Sequence, residues 1–249
     1  MKKHIPNFIT LLNLLSGVIA IILATQNQLE YAAYFVFAGI IFDFFDGFIA
    51  RILHVKSELG VQLDSLADMV TSGVAPGIVM FQLLRNASSD WHMTDYFTDF
   101  KEMNFLPFLG LLITLSAAYR LAKFNIDDRQ DHDFIGLPTP ALTLFVVSLP
   151  LISIYGNHEW TMNMVQDSYF LIATTLLGSF LMNSELSMFS LKLSSISIKD
   201  NWIQYILLAF SLLFMIWLHI ASIPFIIIFY IVLCIIDSFM GNSQKTITV

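Results

Sequence analysis

Long apolar segments recur along the whole chain, and they limit the folds it can adopt more than any other feature. A helix needs about 20 predominantly apolar residues to cross a bilayer, and eight segments meet or approach this length. They cover residues 7–25, 31–53, 62–84, 105–125, 139–156, 169–183, 203–219 and 221–237. With 57% hydrophobic and 12% charged residues, the chain is too apolar for a soluble domain. We therefore expect an all-α integral membrane protein, a bundle of about eight transmembrane helices.

The basic residues give an independent test of span count and orientation. The sixth segment is short and the last two are barely separated, so six or seven spans also fit the sequence. If the chain has eight spans and a cytoplasmic N-terminus, only Arg85 and Lys101 lie on the side of the membrane opposite the cytoplasm. The other basic residues lie at or near the cytoplasmic side: Lys2, Lys3, Arg51, Lys56, Arg120, Lys123, Arg129, Lys192, Lys199 and Lys245. Since cytoplasmic loops are rich in Lys and Arg, we expect cytoplasmic N- and C-termini and, without interior linkers, a single domain over residues 1–249.

Four aspartates, Asp43, Asp46, Asp64 and Asp68, lie where the second apolar segment ends and the third begins. Asp43 and Asp46 are three positions apart, and Asp64 and Asp68 are four apart, so each pair shares a helix face. Two helices can therefore direct four carboxylates at one place. Buried carboxylates are costly unless they are paired or bind metal, which makes them candidate functional residues within a membrane. Ligands made only of oxygen favour Mg2+ or Mn2+, and four carboxylates suffice for two ions.

Small residues and one arginine accompany the aspartates. Gly47, Ala50 and Gly60 would let a backbone or a ligand approach closely. Arg51 offers a fixed positive charge suited to phosphate oxygens, although a positive-inside anchor would look the same in sequence. Acids for metal, an arginine for phosphate and glycines for access together indicate phosphoryl transfer to an acceptor. Glycine and proline at residues 73–77 should also loosen the third span and allow close packing against a neighbour.

The pattern D-x2-D-G-x2-A-R-x8-G-x3-D-x3-D is complete between Asp43 and Asp68. It resembles the signature of the CDP-alcohol phosphatidyltransferases, integral membrane enzymes that displace CMP from a CDP-linked lipid or alcohol. Further segments are similar to the membrane-bound phosphatidylserine synthases of that family, as far as Pro138. These segments are residues 5–13, 63–68, 72–76, 120–125 and 136–138. Lys123 stands where arginine is expected, which keeps the charge and loses the planar fork.

The resemblance implies transfer of a phosphatidyl group from CDP-diacylglycerol to L-serine, with release of CMP. It implies two Mg2+ or Mn2+ ions held by Asp43, Asp46 and Asp64, with Asp68 at their edge. Asp68 would be the general base, and Arg51 would stabilise charge. The residues implied in binding CDP are Asp43, Gly47, Ala50, Arg51 and Gly60. We also expect a homodimer among the lipids of a bacterial cytoplasmic membrane, with a polar active-site cavity that faces the cytoplasm.

Five further polar residues are weaker candidates for contacts with the headgroup or nucleotide. Asn7, Thr10 and Asn13 recur along one face of the first span. Helix capping and interhelical hydrogen bonds explain them equally well. Arg120 and Asn125 flank the end of the fourth span. Arg120 would bind a carboxylate or phosphate there, or simply anchor the helix.

The sequence leaves other functions open. Glycerol 3-phosphate or inositol phosphate could be the acceptor in the same chemistry, but the few basic residues near the motif favour a small zwitterion. An ion-coupled transporter would also place acids within the membrane. Paired discontinuous segments in two repeated halves would support a transporter, and none is evident. The net charge of −7 and the lack of a long basic run exclude nucleic acid as a partner.

Overall fold

The computed structural model describes residues 4–55, 57–88, 104–126, 134–189 and 201–239. Within these ranges the chain forms ten α-helices and one short pair of strands. The helices are α1 (His4–Thr25), α2 (Leu29–Ile52), α3 (Glu58–Asp68), α4 (Ala75–Ala87), α5 (Leu112–Phe124), α6 (Thr139–Tyr155), α7 (Glu159–Gln166), α8 (Ser168–Asn183), α9 (Trp202–Leu218) and α10 (Ser222–Phe239). The strands β1 (Phe134–Ile135) and β2 (Ser187–Met188) pair antiparallel. The fold is all-α, as the sequence predicts, and α7 is a helix that the sequence did not predict.

Five stretches of the described residues are long and apolar enough to cross a membrane. They are His4–Thr25, Leu29–Ile52, Glu58–Ala87, Leu106–Phe124 and Trp202–Ser238. Two further helices, α6 and α8, are apolar but shorter, with 17 and 16 residues. The chain is therefore a multi-pass membrane protein, and the predicted count of eight spans is not confirmed.

The last of these stretches is divided where the chain reverses between α9 and α10. His219 follows α9 with a positive φ of 49°, which ends the helix. The ring centroids of Phe210 and Phe229 are 4.4 Å apart, and those of Phe214 and Phe225 are 6.2 Å apart. Because the residue numbers of these pairs run in opposite directions, α9 and α10 form an antiparallel hairpin.

A π-helical turn at Met69–Val74 joins α3 and α4 into one continuous rod. Pro76 has no N–H, so the carbonyl of Ser72 lacks the partner that it would have in an α-helix. Thr143 of α6 donates its hydroxyl to this carbonyl at 2.8 Å. The loosening predicted at residues 73–77 is thus present at this turn, and a neighbouring helix satisfies the freed backbone oxygen.

Small residues bring neighbouring helices into close contact around the π turn. A Cβ at Gly39 of α2 would lie 2.5 Å from Cγ2 of Thr71, and Gly17 of α1 has equally little room against Thr71. Gly77 packs closely against Thr114 of α5, which confirms the predicted close approach. Helices α1, α2 and α5 therefore surround the turn and fix the adjoining end of α3.

Eight of the basic residues used to predict the orientation lie outside the described residues: Lys2, Lys3, Lys56, Lys101, Arg129, Lys192, Lys199 and Lys245. Among the described ones, Arg51 lies in the last turn of α2, close to the start of α3, and Lys123 lies in the last turn of α5, whose end is bonded to Ser65 of α3. Arg85 lies in the last turn of α4, at the opposite end of the rod. This separation fits the predicted charge asymmetry, and which end faces the cytoplasm stays a prediction.

Candidate active site

A cavity of about 840 Å³ lies between the start of α1, the second half of α2 and the start of α3. Nine residues singled out in the sequence line it: Asn7, Thr10, Asp43, Asp46, Gly47, Ala50, Arg51, Gly60 and Asp64. The spaced motif positions reach one cavity because three- and four-residue spacings repeat along one side of each helix.

Asp43, Asp46 and Asp64 converge at this cavity. One carboxylate oxygen from each residue can be chosen so that all three lie within 4.8 Å of one another. Asp46 is only 6% exposed, and its Oδ2 has no hydrogen-bond partner among the described residues. A buried carboxylate oxygen without a partner is costly, so a bound cation would stabilise the cluster. The all-oxygen donor set fits a hard divalent cation.

Asp68 lies beside this cluster, one helical turn beyond Asp64, and is not among the residues that line the cavity. Its carboxylate is close enough to interact with that of Asp43. Asn13 of α1 donates from Nδ2 to Oδ1 of Asp68 at 3.2 Å. The structure therefore brings three of the predicted metal ligands together and places the fourth at their edge. Asn13 is fully buried and contacts a site carboxylate without reaching the cavity.

The two motif glycines have different surroundings. A Cβ at Gly47 would have no atom within 4 Å, so packing does not require glycine at this position on the cavity wall. A Cβ at Gly60 would lie 3.0 Å from Oγ of Ser57 and 3.3 Å from Oδ1 of Asn7. Ser57 is the N-cap of α3, and its Oγ accepts a hydrogen bond from the Gly60 N–H. Gly60 thus serves capping and close packing, whereas Gly47 leaves free space in the cavity.

Arg51 is exposed at the end of α2 and lines the cavity. Its Nε donates to the carbonyl of Gly47 at 3.1 Å, which holds the side chain along its own helix. The salt bridge found in the described part of the chain joins Lys123 to Glu185 and does not involve Arg51. The terminal nitrogens of Arg51 can therefore bind anionic oxygens next to the carboxylates.

Arg120 and Asn125 are not brought to the cavity. Arg120 is 7% exposed and donates from Nη1 to Oγ1 of Thr139 at 3.0 Å, between α5 and α6. Its Nε has no partner among the described residues. Asn125 exchanges hydrogen bonds with Ser65 and so ties the end of α5 to α3. Both residues connect helices around the site, and a substrate contact for either stays a prediction.

Six residues that line the cavity were not singled out in the sequence: Pro6, Phe44, His54, Val55, Ser57 and Val61. Ser57 carries a recognisable signal, because serine just before a helix is a good N-cap. His54 follows α2 with a left-handed φ of 50°, where glycine or asparagine is usual, so no local signal marks it. His54, Val55 and Ser57 reach the cavity because the short connection between α2 and α3 borders it.

The site lies within the part of the chain that matches a known protein family. A family model described as CDP-alcohol phosphatidyltransferase matches residues 3–181. This range contains the whole aspartate motif and ends within α8.

Individual relatives also match this chain. It is 35% identical over 151 residues to the CDP-diacylglycerol–serine O-phosphatidyltransferase of Bacillus subtilis (strain 168), covering 59% of this chain and 75% of that protein. It is 30% identical over 161 residues to the protein of the same name from Helicobacter pylori (strain J99), covering 62% of each. It is 28% identical over 175 residues to an archaetidylserine synthase of Methanothermobacter thermautotrophicus, covering 68% of this chain and 67% of that protein. The chain thus spans less than two thirds of the Helicobacter relative and three quarters of the Bacillus one.

Proposed function

The chain belongs to the CDP-alcohol phosphatidyltransferase family, and we propose that it transfers a phosphatidyl group from CDP-diacylglycerol to L-serine, with release of CMP. The observation that carries this proposal is the convergence of Asp43, Asp46 and Asp64 on a cavity that Arg51 also lines. The names of the Bacillus and Helicobacter relatives support serine as the acceptor.

The three carboxylates of Asp43, Asp46 and Asp64 would hold divalent metal, Mg2+ or Mn2+, with Asp68 at the edge of a site for two ions. When bound, the metal would neutralise the pyrophosphate of CDP-diacylglycerol and stabilise CMP as the leaving group. The unpartnered Oδ2 of buried Asp46 supports this assignment.

The chain's own residues would bind the donor and move one proton. Gly47, Ala50 and Gly60 would leave room for CDP, and the free end of Arg51 would bind a phosphate oxygen. Asp68 would accept the proton of the serine hydroxyl as general base. The serine oxygen then forms a bond to the phosphorus that carries the diacylglycerol, and the bond from this phosphorus to the CMP oxygen breaks.

The small number of positive charges on the cavity wall favours serine over a phosphorylated acceptor. Arg51 and His54 are the residues with basic side chains among those that line the cavity in the described structure. Glycerol 3-phosphate or inositol phosphate would add a dianion next to three carboxylates, and would need more cationic groups than these. A zwitterion such as serine brings no net charge.

The site would face the cytoplasm, in a homodimer within a bacterial cytoplasmic membrane, and residues 1–249 would act as one domain. In support, the cavity lies where α2 ends and α3 begins, at the end of the bundle to which Arg51 and Lys123 also belong. A water-soluble acceptor and CMP could exchange there, while the acyl chains of the donor stay in lipid.

Release of CMP by the purified protein tests the proposal. The protein is incubated with CDP-diacylglycerol and Mg2+ or Mn2+, and separately with serine, glycerol 3-phosphate or inositol phosphate. We expect CMP release when serine is the acceptor and not with the other two acceptors, and we expect a chelator to abolish this release. Release with a different acceptor would keep the site and refute the substrate. No release with any acceptor, from protein that is folded, would refute the transferase function.

A further inference from the structure

A buried amide holds Asp68 from the side of α1. Asn13 has no exposed surface, and its Nδ2 donates to Oδ1 of Asp68 at 3.2 Å. Its own Oδ1 has no hydrogen-bond partner among the described residues. A buried amide with an unpartnered oxygen is a poor choice for stability alone, because an apolar side chain of similar shape would avoid this cost. The hydrogen bond to Asp68 needs a donor at residue 13, which an apolar side chain could not supply.

The backbone around Asn13 is fixed against the helix that carries Asp68. Thr71, which is fully buried in the π turn, donates from Oγ1 to the carbonyl of Asn13 at 3.1 Å. Gly39 closes the other side, since a Cβ there would lie 3.0 Å from Oδ1 of Asn13. The π turn begins at the residue after Asp68. The contacts of Thr71 in this turn therefore hold the backbone of Asn13 and the end of α3 that carries Asp68 in fixed positions. π-helical turns are frequent at functional sites.

We propose that Asn13 is a positioning residue for the transfer reaction and acts through Asp68. By donating to Oδ1, the amide orients the carboxylate that would receive the proton of the acceptor hydroxyl. Among the described residues, Asn13 does not line the cavity, and its side chain makes its hydrogen bond to Asp68 and not to the three carboxylates that converge there. It should therefore affect the rate of transfer and leave donor binding unchanged. This inference rests on the proposed function, in which Asp68 is the general base.

The test is Asn13→Leu, which keeps the approximate shape and removes both the donor and the unpartnered oxygen. Loss of a hydrogen bond to a charged group should lower kcat roughly 10- to 100-fold if the bond is needed in the transition state. We expect this loss together with an unchanged KM for CDP-diacylglycerol and an unchanged Kd for CMP, measured without acceptor. The melting temperature in detergent should change little, because removal of the unpartnered amide oxygen offsets the loss of the donor to Asp68.

Gln82→Met is the matched control, because Gln82 is also a buried amide with one donated bond and one unpartnered oxygen. It is 2% exposed, and its Nε2 donates to the carbonyl of Thr25 at 3.2 Å, at the other end of α1 from the cavity. We expect Gln82→Met to keep the wild-type kcat.

Any of four outcomes would overturn the inference, of which three concern the rate and CMP affinity and the fourth the melting temperature. The first three are a wild-type kcat in Asn13→Leu, a fall in CMP affinity that matches the fall in rate, and an equal loss of kcat in Gln82→Met. A loss of rate that follows a lower melting temperature would also show a purely structural role. Failure of the proposed function looks different, because the wild-type protein would then release no CMP with serine. With another acceptor, the same comparison of kcat and CMP affinity still decides the role of Asn13.

Discussion

Two glycines of α2 have different surroundings. One packs against neighbouring helices, and the other borders the cavity proposed for the substrate. Gly39 faces Thr71 and Asn13 in the packed interior, whereas Gly47 borders the cavity, and a Cβ added there would have no atom within 4 Å. The same substitution, to alanine, should therefore have opposite effects on stability at the two positions.

The expected magnitudes follow from the surroundings of each Cβ. Alanine is favoured over glycine in a helix interior by about 1 kcal/mol, and nothing opposes this gain at Gly47. At Gly39 the new methyl would lie 2.5 Å from Cγ2 of Thr71 and 3.0 Å from Oδ1 of Asn13. Such overpacking costs about 1–3 kcal/mol. We expect Gly47→Ala to be more stable than the wild-type protein by up to about 1 kcal/mol, and Gly39→Ala to be less stable by up to about 2 kcal/mol.

Activity should separate the two variants in a second way. The methyl of Gly47→Ala enters the volume proposed for CDP, and displacement of a substrate by about 1 Å can cost roughly 100-fold. We expect kcat/KM for CDP-diacylglycerol to fall at least roughly 10-fold, in a protein that melts at a higher temperature. The assays are thermal unfolding in one detergent and initial rates of CMP release.

A lower melting temperature for Gly47→Ala would refute the conclusion that a methyl group at this position meets no other atoms. Unchanged kcat/KM in Gly47→Ala would refute the proposal that the substrate occupies this part of the cavity. Gly39→Ala is the control for stability alone, because its methyl would also press on Asn13, on which the rate is proposed to depend.

Four further changes test separate parts of the argument. Asp64→Asn should lower kcat at least roughly 100-fold by weakening metal binding, whereas Asp167→Asn, at the exposed N-cap of α8, should not. Chelation should abolish activity, and added Mg2+ or Mn2+ should restore it, as measured by CMP release. Arg51→Lys keeps the charge and loses the fork, so initial rates should show a higher KM for CDP-diacylglycerol. Thr143→Val leaves the carbonyl of Ser72 unbonded and should cost about 1–3 kcal/mol of stability in thermal unfolding, with little change in kcat.

The spacing of the motif was enough to predict much of the candidate site. Asp43 and Asp46 share a helix face by periodicity alone, and so do Asp64 and Asp68. The short connection between α2 and α3 then brings the two pairs close together. The spacing alone could not show that Asp64 joins the cluster at the cavity while Asp68 lies at its edge, because this depends on how α3 is rotated against α2. The family resemblance implied this arrangement.

Contacts between distant helices were not predictable in the same way. In the sequence, Asn13 is a polar residue within the first apolar segment, and Arg120 and Asn125 are polar residues near the end of the fourth. The structure gives them different partners, Asp68, Thr139 and Ser65. Each contact joins residues on separate helices, and no spacing within one helix encodes it.

By itself, the sequence determined that this chain is helical, membrane-embedded and equipped with a clustered set of carboxylates. These properties depend on composition and on the helical repeat, which act over a few residues. Only the tertiary structure decided how α3 is rotated against α2 and that Asn13 reaches Asp68. These two features depend on close packing at Gly17, Gly39 and the π turn, where the distance between helices is set by atoms far apart in the chain.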